Sequence, residues 1–234
     1  VELPVSRLPT SELKRSRIRD IKRFLRSASL PKVERYFQWS SAFDRESKAD
    51  LYTKEFRSEV ERFDAAGVLG QWFSNANGSG IVDAAMFVDQ MTYLPNDLLV
   101  KVDIASMANS LEARSPFLDH NVIEFAASLP EKMKSSGVET KSFLKKLASR
   151  LVPKEVIYRR KMGFGVPIGK WFRGEMKAFV KEVLLSERSL ERGVIKPEAL
   201  RRYVTEHIEA RQDHAFRLWA LLMLELWYQR FIDS

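Results

Sequence analysis

The residues best suited to chemistry in this chain are three lysines in unusual settings. Lys161 lies where a helical pattern ends and a Gly-Phe-Gly loop begins, so it could approach a phosphate or a developing oxyanion closely. Lys141 starts a predicted helix, where the dipole disfavours a cation unless Glu139 or a bound anion lies nearby. Lys101 stands between apolar neighbours, and Asp103, two residues on, cannot face it on a helix. Each lysine also fits an ordinary surface position.

A charged turn, SLEARSPFLDH at residues 110–120, is the second candidate for a site. Because side chains alternate along an extended segment, Glu112 and Arg114 should point to the same side. They could form an ion pair or hold two parts of one ligand. A purely structural, salt-bridged turn explains the same residues, so the pattern leaves both interpretations open.

The second half of this turn predicts the start of a helix. Pro116 favours extended geometry for the residue before it. Phe117 and Leu118 are expected to anchor the turn in the core. Asp119 is placed to cap the helix that follows.

Other kinds of catalytic site find little support in the sequence. The chain has no Cys, which excludes disulfides, thiolate metal sites and a cysteine nucleophile within it. Of its three histidines, His207 and His214 are seven residues apart, about 10 Å along a helix axis, too far for one metal ion on a straight helix. No Ser stands on a G-x-S-x-G turn. The glycine-rich GFGVPIG contains a proline and follows no strand, so it is no dinucleotide loop. We expect no metal ligands here.

The composition predicts a folded protein with anionic partners. Its 234 residues suffice for one large domain or two small ones, and 45% of them are hydrophobic. The net charge of +8 favours nucleotides, nucleic acid or acidic lipid, although ordinary surface lysine and arginine explain it too. The chain starts at Val1 without a signal-sequence pattern, and we expect it to be a piece of a longer protein. The apolar LWALLMLELW is too short to span a membrane.

The spacing of apolar residues is helical almost throughout, so the chain by itself is predicted to be all-α. A first helix, TSELKRSRIRDIKRFLRS, has a basic face, and NANGSG at residues 75–80 is the best internal break. A turn is expected at Pro95 and Asn96, and RRKMGFGVPIGKW is predicted to be a loop. The last helix, DHAFRLWALLMLELWYQRF, is apolar nearly all round and is therefore predicted to be buried.

Two long segments, YLPNDLLVKVDIASMANSLEARSPFLDH and TKSFLKKLASRLVPKEVIYRRKMGFGVP, closely resemble the synthetase domain of glutamine-hydrolysing asparagine synthetases of the class B type. The resemblance covers residues 85–175 well, whereas the first 80 and last 55 residues are similar only in being helical. It implies an α/β ATP-pyrophosphatase (adenine nucleotide α hydrolase-like) domain, of which this chain is the helical C-terminal part. Residues 1–80 are then a variable helical segment, and residues 81–234 the motif-bearing core.

The resemblance also implies a reaction. ATP and Mg²⁺ activate the aspartate side-chain carboxylate as an acyl-adenylate and release pyrophosphate, and ammonia from an N-terminal glutaminase domain then displaces AMP. Domains of this kind also act on other carboxylates, so the substrate is aspartate or another small carboxylate. A cytoplasmic enzyme without membrane or nucleic-acid partners is expected, and a homodimeric parent is left open.

Site residues are implied by matching positions. Lys161 resembles the active-site lysine near the phosphates and the adenylate, and Lys141 resembles a second lysine near the same site. The residues that border or shape the substrate and nucleotide pocket are Lys101, Asp103, Glu112, Arg114 and Asp119.

Several motifs of the family are missing from this chain, and their absence bears on whether it can catalyse the reaction alone. The pyrophosphate loop S-G-G-x-D-S, the S-G-x-G-x-D-E segment and the glutaminase Cys are absent, and Ile104 stands where many relatives carry a basic residue. We therefore expect the chain to be inactive by itself. Two alternatives stay open: a basic helical module that binds nucleic acid, and a scaffold that kept the fold without the chemistry.

Overall fold

The computed structural model describes residues 27, 29–76, 80–136, 139–160 and 165–233. The predicted all-α character is confirmed, because helices joined by short loops make up most of these residues. The α-helices are α1 (Lys32–Ser40), α2 (Arg45–Leu51), α3 (Lys54–Val60), α4 (Ala65–Asn75), α5 (Ile81–Met91), α6 (Val100–Met107), α7 (His120–Ser128), α8 (Glu131–Lys134), α9 (Ser142–Ala148), α10 (Lys154–Ile157), α11 (Ile168–Arg173), α12 (Lys177–Leu184), α13 (Glu187–Glu191), α14 (Pro197–Ile208) and α15 (Ala215–Phe231).

Three further short elements complete the described secondary structure. A π-helix spans Leu94–Leu99, and a 3₁₀-helix spans Pro116–Leu118. Two antiparallel strands, β1 (Ser135–Ser136) and β2 (Glu139–Thr140), form a small hairpin. No described helix is both long and apolar enough to cross a membrane.

The helix limits agree with the predicted break at residues 75–80 and correct the predicted loop at residues 159–171. The predicted break at residues 75–80 is present, since α4 ends at Asn75 and α5 begins at Ile81. The predicted first helix falls almost wholly outside the described residues. The predicted loop at residues 159–171 is too long, because α11 already begins at Ile168 directly after a proline, a residue that suits a helix start.

The chain forms two compact units that differ from the division by motif content. One contains the described residues up to Ala66 together with those from Gly165 onward, and the other contains those from Gly67 to Arg160. The division predicted at residue 80 separates a variable segment from the segment that carries the family motifs. Packing cannot test a division by motif content, so this division stays a prediction.

The first unit has an apolar core around helices α11, α12, α14 and α15. Phe172, Leu184, Leu218 and Leu222 are fully buried there, and Leu218 and Leu222 share one face of α15 because they are four residues apart. Burial of each such side chain stabilises the fold by roughly 1.5–3 kcal/mol.

The prediction that the last helix is buried holds for one of its faces only. Only one face of α15 is covered, whereas Phe216, Trp227 and Phe231 on the other side are 69%, 48% and 66% exposed. Apolar sequence content alone does not decide burial, because burial also needs residues that cover the helix. In the described part of the first unit, nothing covers these three side chains fully.

Hydrogen bonds join early and late segments of the first unit. The Thr53 backbone N–H donates to the Val194 carbonyl at 3.2 Å, and the Lys196 N–H donates to the Leu51 carbonyl at 2.7 Å. The Lys196 ammonium also donates to the carbonyl of Ala49 at 2.9 Å, near the C-terminus of α2. A cation at this position satisfies carbonyls that a helix end leaves without partners.

A buried ion pair holds the end of α15 in place. The guanidinium of Arg192 donates two hydrogen bonds to Glu225, at 2.6 and 2.8 Å, and two to Asp233, at 3.1 and 2.6 Å. Gln229 donates to the same Glu225 carboxylate at 2.9 Å, and Arg192 lies 4.5 Å from the centre of the Tyr228 ring. These hydrogen bonds raise the pKa of Arg192 above its usual range and lower that of Asp233.

The same unit also buries two histidines. The backbone N–H of His214 donates to Nδ1 of His207 at 3.2 Å, so the Nε2–H of His207 can donate to the Gly169 carbonyl at 3.2 Å. The His214 ring stacks on Tyr203, with 4.1 Å between centres, and its Nε2 lies 2.7 Å from Glu206. Burial lowers the pKa of both histidines.

The Arg192→Met variant should lose about 3–5 kcal/mol in its free energy of unfolding, because Glu225 would stay buried without its cation. Urea unfolding followed by tryptophan fluorescence measures this loss. The control is Arg188→Met, since Arg188 is 61% exposed and lies 3.5 Å from Asp233. We expect the control to change stability by less than about 0.5 kcal/mol. Equal losses in both variants would contradict the assignment.

The free energy of unfolding should fall as pH drops below about 6.5. The histidines of the unfolded chain bind protons there, whereas the buried histidines of the folded chain, with their lowered pKa values, stay neutral. This loss continues down to their lowered folded-state pKa values. Urea unfolding at pH 7.5, 6.5 and 5.5, values chosen around the ordinary histidine pKa, measures the slope. His214→Phe, which can keep the stacking on Tyr203, should reduce the slope without abolishing it. Equal slopes in the wild type and in His214→Phe would overturn the explanation.

Candidate functional site

The segment that carries Lys101 begins with a π-helix rather than the predicted turn at Pro95 and Asn96. The Val100 N–H donates to the Pro95 carbonyl, five residues back rather than the four of an α-helix. The backbone therefore stays helical, with a wider turn. Pro95 is tolerated because it lies in the first turn of this helix, where a backbone N–H has no acceptor within the helix and its absence costs no hydrogen bond. Short π-helices are rare and frequently occur at functional sites.

Lys101 and Asp103 lie on α6, directly after this π-helix, and both are exposed. The Lys101 ammonium is 3.8 Å from the Asp97 carboxylate, one helical turn earlier, and both side chains are more than half exposed. Lys101 therefore has a partner other than Asp103, in agreement with the helical spacing. An exposed pair of this kind contributes little stability and leaves the lysine accessible.

The charged turn starts where α6 ends. Ser110 adopts a left-handed backbone with φ of 57°. Its N–H donates to the Met107 carbonyl at 2.9 Å, and the Leu111 N–H donates to the Ser106 carbonyl at 3.0 Å. This pair of bonds is the Schellman ending, in which glycine usually takes the left-handed position. With serine there, the sequence gives no signal for it.

Glu112 and Arg114 form an ion pair, one of the two interpretations that the sequence left open, with a guanidinium nitrogen of Arg114 contacting a carboxylate oxygen of Glu112. Both side chains are exposed, by 64% and 87%. The expectation that Phe117 and Leu118 anchor this turn in a core is wrong, because they are 65% and 37% exposed. Within the described residues the turn is held by backbone geometry and polar contacts instead.

Asp119 caps α7, as predicted. Its carboxylate oxygen Oδ1 accepts hydrogen bonds from the backbone N–H groups of Asn121 at 2.9 Å and Val122 at 3.4 Å. The preceding 3₁₀ turn, which starts at Pro116, places Asp119 at this position. The role that the structure gives Asp119 is thus the organisation of the turn.

Lys141 is held at the start of α9 by its backbone. Its φ of 60° is left-handed, and its N–H donates to the Lys134 carbonyl at 2.8 Å. The next residue, Ser142, donates its hydroxyl to the Met133 carbonyl at 2.7 Å. The β1–β2 hairpin therefore returns the chain to α8 and places Lys141 beside it.

Glu139 does not serve Lys141 as a counter-ion. Its carboxylate lies 3.3 Å from the ammonium of Lys145, which also stands 5.5 Å from the centre of the Tyr158 ring. The side chain of Lys141 is exposed, and the described residues contain no ion-pair partner for it. Lys141 is therefore accessible to an anion from outside this segment.

Glu131 and Lys134, on α8, were missed by sequence analysis although they connect the elements of this region. One oxygen of Glu131 accepts from the N–H groups of Val82 and Asp83, each at 3.2 Å. The Lys134 ammonium donates to the Asp83 carboxylate and to the Ala127 carbonyl, each at 2.8 Å. Val82 and Asp83 are distant in sequence from Glu131 and Lys134, so no local pattern indicates these contacts.

The structure brings only some of the predicted site residues together. Lys161 lies outside the described residues, so its place beside Lys141 stays a prediction. Within the described part of the chain, Glu112 and Arg114 are the one pair of predicted site residues joined by a hydrogen bond or ion pair. The described residues also contain no group of three His, Asp or Glu side chains that could hold a metal ion.

Comparison with known proteins gives a consistent result. The asparagine synthase family model matches residues 4–229. Asparagine synthetase [glutamine-hydrolyzing] 1 of Bacillus subtilis is 29% identical over 213 residues, which are 91% of this chain and 33% of that protein. A putative asparagine synthetase [glutamine-hydrolyzing] of Mycobacterium bovis is 32% identical over 213 residues, 91% of this chain and 32% of its own length. No solved structure gives a significant match.

These matches extend the resemblance seen in the motifs. The expectation that the first 80 and last 55 residues are similar only in being helical was too narrow, because the family match begins at residue 4 and ends at residue 229. The chain spans about a third of the length of the curated relatives it matches.

Replacing the capping carboxylate tests the local role of Asp119. Asp119→Ala should lower the free energy of unfolding by about 1 kcal/mol, because two N–H groups at the start of α7 lose their acceptor. Asp119→Asn is the matched control, since asparagine caps helices about as well and should stay within roughly 0.3 kcal/mol of the wild type. Urea unfolding followed by circular dichroism measures both. If Asn and Ala destabilise equally, the negative charge of Asp119 matters and not its capping oxygen.

Proposed function

The chain belongs to the asparagine synthase family, and from that membership we propose that it is part of an ATP-dependent amidotransferase. In this proposal the enzyme converts the side-chain carboxylate of aspartate into the amide of asparagine, using ammonia released from glutamine by a separate glutaminase domain. The observation that carries the proposal is the family match over residues 4–229. A cytoplasmic location is part of the proposal, in keeping with a chain that contains no Cys.

The proposed reaction has two steps. In the first, an aspartate carboxylate oxygen forms a bond to the α-phosphorus of ATP, and pyrophosphate leaves with the electrons of the broken P–O bond. In the second, ammonia attacks the activated acyl carbon, the acyl C–O bond breaks, AMP leaves and a proton is released. Both steps build negative charge on oxygen, which fixed cations stabilise in a site that excludes water.

Exposed cations are the contribution that we propose for this chain. Lys161 and Lys141 would stabilise the charge on the phosphates and on the activated carboxylate. Lys101 and Arg114 would border the pocket, with Arg114 held by Glu112. The exposure of Lys101, Arg114 and Lys141 supports this proposal, because an accessible ammonium or guanidinium can meet an anionic ligand.

Magnesium belongs to the proposal because of the charge of ATP, and no residue of this chain is the reason for it. It would neutralise part of the triphosphate charge during the first step. We assign no residue of this chain as its ligand, since the described residues include no suitable group of three carboxylates or histidines. The same proposal extends to another small carboxylate in place of aspartate, with the same two steps.

The test is pyrophosphate release by the full-length synthetase that contains this chain, with ATP, Mg²⁺ and either aspartate or a panel of other carboxylates. Lys161→Ala should lower kcat on the order of 100–1000-fold, the range found when one charge-stabilising donor is removed. Lys154→Ala is the matched control, because Lys154 is an exposed lysine on α10 without an assigned role. It should leave kcat unchanged.

Three outcomes would change the proposal. Release with a different acid alone would keep the reaction type and change the substrate. Absence of release with every acid would favour the scaffold alternative. Pyrophosphate release by residues 1–234 alone would overturn the expectation that this chain is inactive by itself.

A further inference from the structure

We propose that Glu131 and Lys134 form a clasp that fixes the position of Lys141, so that both are positioning residues for activation of the carboxylate. The inference rests on the proposed function, because the role of Lys141 does. It goes beyond that function, since neither clasp residue belongs to the motifs that indicate the family.

The first half of the clasp is a helix cap supplied from far along the chain. Helix α5 begins after Gly80, which has no side chain to cap it. Glu131, 49 residues beyond Val82, accepts from the Val82 and Asp83 N–H groups with one carboxylate oxygen. A carboxylate at this end satisfies unpaired N–H groups and interacts favourably with the helix dipole. Glu131 thereby ties α8 to the start of α5.

The same Glu131 carboxylate also lies close to Gly80. A Cβ atom at Gly80 would lie 2.0 Å from the Glu131 oxygen Oε1, far inside van der Waals contact. A side chain at position 80 would therefore displace the Glu131 carboxylate from the α5 N-terminus, because the carboxylate is the flexible end of its side chain.

The second half of the clasp is Lys134, three residues later on the same helical turn. Its ammonium donates to the Asp83 carboxylate and to the carbonyl of Ala127 near the end of α7. Only 10% of the Lys134 side chain is exposed, so water competes little for its bond to Asp83. Three helices, α5, α7 and α8, therefore meet at one cation.

The main chain of α8 transmits this order to Lys141. The Lys134 carbonyl accepts the Lys141 N–H, and the Met133 carbonyl accepts the Ser142 hydroxyl. The left-handed backbone of Lys141 is unfavourable for a lysine and persists only where its surroundings hold it. Movement of α8 would therefore release that backbone and redirect the ammonium.

Kinetics of the full-length synthetase test the clasp. Lys134→Met should lower kcat for pyrophosphate release on the order of 100-fold, the typical cost of misplacing a catalytic group by about 1 Å. Lys134→Arg keeps a cation and should recover part of that loss. Lys132→Met, an exposed lysine on the same turn, is the matched control and should retain wild-type kcat.

A double-variant comparison separates positioning from general structural support. If Lys134 acts through Lys141, then Lys134→Met should add less than about a twofold loss in a Lys141→Ala enzyme, because coupled residues are not additive. Loss of the same factor in both backgrounds would overturn the positioning role. A kcat of Lys134→Met equal to that of an active wild-type enzyme would also overturn it.

Hydrogen exchange gives a second readout that does not depend on catalysis. In Lys134→Met, and in Gly80→Ala as a second route to disrupting the clasp, the amides of residues 139–142 should exchange at least about tenfold faster than in wild type, because local opening costs less. Unchanged exchange there would overturn the clasp. If the wild type releases no pyrophosphate with any acid, the proposed function fails, and the exchange result still decides whether the clasp holds Lys141.

Discussion

The geometry around Lys141 depends on the hydrogen bonds of Glu131 and Lys134, because apolar packing there is sparse. Among the described residues from Gly67 to Arg160, the buried apolar side chains are Phe73, Ala84 and Val88. So small a core can hold helices together but does little to fix their register. Hydrogen bonds depend on distance and angle, so a few buried ones can specify a single arrangement. The clasp supplies this specificity at one turn of helix.

In the first unit, apolar packing contributes more than directional hydrogen bonds. Its fully buried side chains, such as Phe172, Leu218 and Leu222, form a continuous apolar core, and the polar Arg192–Glu225 pair is placed at its edge. Breaking such a pair leaves one buried charge, so it specifies the arrangement more than it adds net stability. A unit with a large core can act as a stable scaffold, whereas a unit held by directional contacts opens more readily.

Sequence reasoning succeeded where the physics is local. The Asp119 cap and the Glu112–Arg114 pair each depend on residues within three positions, so the residue types were sufficient. It failed where the partner is remote, as for Glu131, whose glutamate looks like any surface residue until α5 is packed beside it. The exposure of Phe117 was also beyond reach, since burial depends on what covers a side chain. Lys161 remains a prediction from the motif alone.

Three backbone irregularities lie at or beside motif residues, whereas a further left-handed residue, Ala210, lies outside the motif segments. The π-helix precedes Lys101, the left-handed Ser110 precedes the Glu112–Arg114 pair, and Lys141 is itself left-handed. Such conformations cost free energy and persist only when the surroundings impose them. Left-handed residues are also common just after a helix ends, and Ala210 occupies such a position after α14. Near the motif residues these conformations fix how Lys101, Arg114 and Lys141 are presented, and the proposed use of these exposed cations depends on that backbone geometry.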